Sequence, residues 1–208
     1  MDQTNNISLD HCKTEIILAS QSPRRQEFLR DWGICFECMP SGIEEPEREA
    51  GEPLGQYVER ISLLKAKHVA PNHPDRLILG ADTVVALGET ILGKPVDDTQ
   101  AAEFLRMLSG KKHHVCTGVA FYCHREGWFH VDHVVTDVHF RSLNEEEIED
   151  YVATGEPRDK AGAYAIQGRA FDFVIQVEGA WDNVVGLPRE AVMRGMNAFD
   201  GRPSGCRP

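Results

Sequence analysis

Ile16-Ile17-Leu18-Ala19-Ser20-Gln21-Ser22-Pro23-Arg24-Arg25 carries the first handover from strand to helix in this chain. An apolar run breaks into two hydroxyl residues, a proline and paired arginines. A buried strand passes into the first turn of a helix in this way. Ser22 has the side chain of an N-cap, and Pro23 has the fixed φ of a first helical position. Such a helix start presents unpaired backbone N–H groups at the positive end of the helix dipole, and Arg24 and Arg25 add two permanent charges. The expected ligand is an anion, a phosphate chain above all. An ordinary helix start with solvated arginines would read the same, so the rest of the chain has to separate the two.

Residues 23–32 read as a short helix with Phe28 and Leu29 inward and Gly33 as its stop, followed by a strand at about residues 35–39. Residues 41–51 form an acidic loop, where Glu44 and Glu45 serve either solubility or a metal. Over residues 53–70 the apolar positions Leu54, Tyr57, Val58, Ile61 and Leu64 recur at helical spacing, and Lys65 and Lys67 sit on that helix. Leu77-Ile78-Leu79 then opens a buried strand that runs through Gly80-Ala81-Asp82-Thr83 into Val84-Val85-Ala86-Leu87. An aspartate inside such a strand costs on the order of several kcal/mol unless it is paired, bound to metal or open to a cleft. The small Gly-Ala approach and the lack of a turn signal favour a functional Asp82 over one bonded to a neighbouring turn.

Gly88-Glu89 makes a hairpin turn into Thr90-Ile91-Leu92, and Gly93-Lys94-Pro95 sets a lysine between a flexible and a rigid residue. Asp97 or Asp98 caps a helix over residues 99–108. Residues 114–123 and 128–140 form a long antiparallel pair, and Asn144 with Glu147 is a capping box for the helix that follows. The small, polar run at residues 159–168 suits close approach of backbone to a ligand. A strand over residues 171–177 and a last helix over residues 188–196 complete the pattern. The alternation predicts a mixed α/β sheet flanked by helices. One domain is expected over residues 14–197, with a polar extension at residues 1–13 and a disordered tail at residues 198–208.

The chain has 208 residues, with 41% hydrophobic and 26% charged content, which suits a soluble globular protein with a real core. A formal charge of −11 argues against a nonspecific grip on nucleic acid or an anionic membrane. An anionic substrate therefore needs a local basic pocket, a metal ion, or both. No apolar run approaches the roughly 20 residues that span a bilayer, and residues 1–6 lack the pattern of a secretion signal, so the expected location is cytoplasmic. Six cysteines are too sparse for a disulfide scaffold and are expected to stay reduced. Cys35 and Cys38 form a C-x-x-C on an extended segment, which points them to opposite faces and disfavours a shared metal. Nine histidines show no H-E-x-x-H spacing, and His130, His133 and His139 in an extended run are expected to face solvent.

Four segments together resemble the Maf family: Ser20 to Arg25 as S-x-S-P-R-R; Gly80 to Thr83 with Gly93-Lys94-Pro95; Asp159-Lys160-Ala161-Gly162-Ala163-Tyr164 with Gln167-Gly168; and Asn183 to Pro188. The resemblance covers nearly the whole chain. It implies an elongated, twisted α/β sheet in two lobes with a central cleft, similar to inosine triphosphatase folds. It also implies hydrolysis of a nucleoside triphosphate to the monophosphate and pyrophosphate with a divalent cation, Mg²⁺ or Mn²⁺. By matching position, Asp82 would accept the proton of the attacking water, and Ser22, Arg24, Arg25, Lys65, Lys94 and Lys160 would line the polyphosphate. Asp82 and Glu45 would hold the metal. Arg24, Thr83 and Gln167 match positions linked to substrate choice in a branch similar to dTTP/UTP pyrophosphatases, whereas another branch prefers 7-methyl-GTP. Arg169-Ala170-Phe171 and Ala180-Trp181-Asp182 depart from that branch's pattern near the base end. The resemblance further suggests a homodimer. A nucleotide-binding regulator of cell division is the alternative from another class, and it would show erosion of the catalytic positions.

Overall fold

Ile16–Leu18 forms β1, and all three residues are completely buried because strands pair with them on both sides. In the computed structural model, which describes residues 15–202, β1 runs parallel to β2 (Phe36–Cys38) and to β3 (Leu77–Leu87). Parallel neighbours need crossovers, and α1 (Pro23–Asp31) and α2 (Leu54–Val69) supply them. Every pairing beyond β3 is antiparallel. β4 (Thr90–Leu92) folds back on the end of β3, β5 (Lys112–Cys123) pairs along β3, β6 (Trp128–Phe140) returns along β5, and β7 (Val174–Glu178) joins the end of β6. The order β2-β1-β3-β5-β6-β7, with β4 beside β3, is the mixed sheet the alternation predicts.

Local signals hold where they are strong. Asp97 caps α3 (Asp98–Leu108), its Oδ1 accepting from the Gln100 N–H at 2.8 Å. The capping box of α4 (Glu145–Ala153) is complete: Asn144 Oδ1 accepts from the Glu147 N–H, and Glu147 Oε2 from the Asn144 N–H, each at 2.9 Å. Two expected elements need correction, and one short helix is additional. Arg169–Phe173 is a 3-10 turn rather than strand, wound by the Phe171 N–H donating to Gly168 O, so β7 starts only at Val174. A short helix, α5 (Trp181–Val185), precedes Gly186, whose φ of 116° ends it. The last helix, α6 (Arg189–Asp200), runs beyond residue 196 into the stretch expected as tail, because the Phe199 ring packs edge-on to Trp128 at 5.1 Å. The expected extension over residues 1–13 and the tail over residues 203–208 lie outside the described residues. Cys35 is disulfide-bonded, contrary to the expectation that all six cysteines stay reduced, while Cys38, Cys116 and Cys123 are free. The C-x-x-C therefore does not close on itself.

The apolar core divides along the two long strands. Leu77, Leu79 and Ala81 of β3 and Val119, Phe121 and Cys123 of β5 pack with β1, α1 and α6. Val85 of β3 and Val115 of β5 pack instead with α3, α4 and the 3-10 turns that follow. Asp82 and Thr83 lie where β3 passes from one cluster to the other. On the opposite face α2 sits unusually close to the sheet. A Cβ on Gly80 would stand 2.1 Å from Ser62 O, and one on Gly118 would stand 2.3 Å from Val58 O. Two glycines thus let helix backbone touch strand backbone, and they set how far Lys65 stands from β3.

His113 is fully buried in the larger cluster, with Nε2 2.9 Å from the Tyr164 hydroxyl and its ring edge-on to Phe140. Burial pushes its pKa down to about 4, with the neighbouring His114 adding to the effect. A depressed histidine favours the neutral form in the folded state, so its stabilisation is complete above the unfolded pKa near 6.5 and falls as pH drops toward 4. Denaturant unfolding at pH 8 and pH 5 should differ by about 2 kcal/mol from this group. In His113→Phe that part of the slope should vanish; an unchanged slope would place the proton uptake elsewhere.

Candidate active site

β3 carries Asp82 into the middle of the sheet, opposite Gly118 of β5, with only 5% of the residue exposed. Its Oδ1 accepts from Lys65 Nζ at 2.7 Å, and the same ammonium stands 2.7 Å from Oε1 of Glu45. Lys65 comes from α2 and Glu45 from the acidic loop before it, so the glycine-mediated approach of α2 brings three sequence-distant groups together. Asp82 Oδ2 is buried and has no hydrogen-bond partner among the described residues. An acceptor left this way carries a desolvation cost, which water or a cation would relieve. Tyr57, two turns before Lys65 on α2, has its phenol pKa raised by burial and then by the charges of Asp82 and Glu45.

A second cluster adjoins the first. Arg25 Nε donates to Gly186 O at 2.8 Å, Nη1 to Ala81 O at 2.9 Å and Ser20 Oγ at 3.2 Å, and Nη2 to Thr83 Oγ1 at 3.0 Å. The guanidinium clamps the end of β1, the middle of β3 and the turn after α5. Burial lowers its pKa and the Asp82 charge opposes that shift. Thr117 donates to Asn183 O at 3.0 Å, so the 3.0 Å contact between Thr83 Oγ1 and Thr117 Oγ1 has Thr83 as donor. A one-way chain of hydrogen bonds therefore runs from Arg25 through Thr83 and Thr117 to Asn183 in α5.

None of the remaining expected residues bonds directly to Asp82 among the described residues. Ser22 is the N-cap of α1 but makes no side-chain cap bond, which leaves the first-turn N–H groups of α1 open. Arg24 is half-buried, its Nε is without a partner among the described residues, and its charge acts on Asp159 and Tyr151. Lys160 pairs with Asp159. The Gly162 N–H donates to Gly93 O at 3.0 Å, which ties the Lys160 turn to the Lys94 loop. Lys94 and Gln167 are exposed, and no direct bond joins either to Asp82 among the described residues. Ala163, next to Gly162, holds a φ of 58° while fully buried, a strained non-glycine position of the kind found where a loop is shaped for a ligand.

Asp82 and Glu45 share one ammonium, and one buried Asp82 oxygen is left open to a water molecule or a cation. Oxygen donors from two carboxylates suit a hard divalent ion that keeps much of its own water. No group of three or more His, Cys, Asp or Glu is placed to hold a metal among the described residues. Sequence reasoning missed Tyr57, Ser20 and the Thr117–Asn183 link. Gly118 had a usable signal, a glycine inside an otherwise apolar β-run, which marks close backbone approach.

Comparison with known proteins places the chain in a wider group. A family model described as Maf-like protein matches residues 15–199. A dTTP/UTP pyrophosphatase of Geobacillus sp. (strain WCH70) is 48% identical over 180 residues, 86% of this chain and 95% of its own. One from Escherichia coli O157:H7 is 49% identical over 178 residues, 84% and 88% of the two chains. Among solved structures, the Staphylococcus aureus Ham1 protein aligns over 89% of this chain and 97% of its own at 11% identity and a TM-score of 0.48.

Proposed function

The chain belongs to the Maf family, and from that premise we propose that it is a metal-dependent hydrolase of dTTP and UTP, releasing the nucleoside monophosphate and pyrophosphate. The observation that carries the reading is Asp82: one carboxylate oxygen held by Lys65, the other buried and unpartnered, at the waist of the sheet. A group so held has a fixed orientation and one acceptor left for a water molecule.

Water bound at Oδ2 attacks the α-phosphorus; its proton passes to Asp82 as the new P–O bond forms and the α–β anhydride bond breaks. Pyrophosphate leaves with the bridging oxygen. Phosphoryl transfer asks chiefly for alignment and charge neutralisation. Arg24, Lys94, Lys160 and the open N-terminus of α1 beside Ser22 supply cationic and N–H groups for the polyphosphate. Arg25, whose donors meet protein oxygens, orients β3 and the Gly186 turn, and Thr83 continues that orientation. Asp82 Oδ1 and Glu45 Oε1, which share one ammonium, are the oxygens that would hold a divalent cation, leaving Oδ2 to the water. When bound, Mg²⁺ or Mn²⁺ supplies charge neutralisation at the phosphate oxygens. Gln167 offers a donor and an acceptor from one amide, a pair able to read a pyrimidine edge.

Purified protein with Mg²⁺ should release pyrophosphate from dTTP and UTP faster than from 7-methyl-GTP, and chelation should stop it. Faster turnover of 7-methyl-GTP would move the substrate to the methylated purine; nucleotide binding without pyrophosphate release would favour the regulator. A cytoplasmic homodimer that also accepts modified pyrimidine triphosphates belongs to the same proposal. No helix among the described residues is long and apolar enough to cross a membrane.

A further inference from the structure

Lys65 occupies a position that its two partners do not fully use. Its Nζ is 2.7 Å from Asp82 Oδ1 and 2.7 Å from Glu45 Oε1, yet Asp82 Oδ2 has no partner among the described residues although the side chain is almost wholly buried. Arg25 is the second positive charge acting on this pair of carboxylates, so what is left is an unserved oxygen rather than an uncompensated charge. A divalent cation carries twice the charge and takes several oxygen ligands at once. An ion that touches both Oδ1 and Oε1 would compete with Nζ for the same two oxygens.

We propose that the Lys65 ammonium is the resident counter-ion of a cation seat made by Asp82 and Glu45, and that a divalent metal ion entering the seat displaces it. Metal and lysine then compete for the same oxygens. The displaced ammonium, on a flexible four-carbon stem, becomes available to an anion, so cation loading raises the affinity of the site for a phosphate chain. This deepens the hydrolase reading and rests on it for the class of cation.

The exchange is read by Mn²⁺ titration calorimetry without nucleotide, at pH 8, on wild type and Lys65→Met. Lys65→Met should bind Mn²⁺ at least about tenfold more tightly, because the competing charge is gone. Its melting temperature should also rise more with Mn²⁺ than that of wild type. Equal or weaker Mn²⁺ affinity in Lys65→Met overturns the proposal. Lys65→Gln keeps an N–H donor without the charge and should show the same tightening, which covers the case in which the methionine variant folds poorly. Tight Mn²⁺ binding that survives in Lys65→Met/Asp82→Asn also overturns it, since the ion would then sit elsewhere. Pyrophosphate release from dTTP by wild type tests the hydrolase reading separately. A wild type that releases none, beside a Lys65→Met that gains Mn²⁺ affinity, removes that reading and keeps the exchange.

Discussion

Asp82→Asn should cut pyrophosphate release by roughly a thousandfold while leaving the protein folded, because general-base assistance is worth about 10²–10⁴ in rate. The substitution keeps shape and volume, and the amide oxygen can still accept from Lys65 at the position of Oδ1. What it removes is the basic oxygen that faces no protein donor. Lys65 retains Glu45 as a charged partner, so the fold loses one ion pair rather than gaining a bare buried charge. Steady-state release from dTTP and a melting curve, run on the same preparation, separate loss of chemistry from loss of structure. A variant that retained a tenth of the rate would show that another group takes the proton.

Gly118→Ala should damage both stability and activity. Its Cβ would meet Val58 O at 2.3 Å, Val58 C at 2.4 Å and Glu59 N at 2.8 Å, all of them backbone atoms of α2. No rotamer change relieves such a contact, so α2 must lift from the sheet. Overpacking of this kind costs about 3 kcal/mol, which for a chain of this length lowers the melting temperature by roughly 10 °C. Activity should fall further than stability explains at a temperature where the variant is still folded, because Lys65 rides on α2 and the position it shares between Asp82 and Glu45 depends on that approach. Gly93→Ala is the control for stability, since nothing lies within 4 Å of a Cβ there. A Gly118→Ala protein melting like wild type would mean that α2 does not press on β5.

Much of the fold was legible because its signals are local. The N-caps at Ser22, Asp97 and Asn144 are short-range features that a sequence displays directly. β3 and β6 were readable to the residue because long apolar or alternating runs are bounded by turns. The stretch after residue 160 was less legible. Small residues such as Ala161, Gly162 and Ala163 carry no periodic signal, and the chain there winds into 3-10 turns held by contacts such as Gly162 N–H to Gly93 O. α6 outran its expected end because Phe199 finds Trp128, a partner that lies far away in sequence.

The candidate site divides in the same way. By itself the sequence determined that Asp82 stands in a buried strand and needs compensation, and that a helix starts at Ser22 with two arginines beside it. Those conclusions need only the period of an apolar run and the chemistry of a cap. Only the tertiary structure decided that Lys65, rather than Lys94 or Lys160, meets Asp82, and that Arg25 turns inward to clamp Ala81, Thr83 and Gly186 while Arg24 acts on Asp159 through its charge alone. The physical reason is backbone proximity. Gly80 and Gly118 let α2 come within reach of β3, and the parallel crossover through β1 sets Arg25 against the strand that carries Asp82.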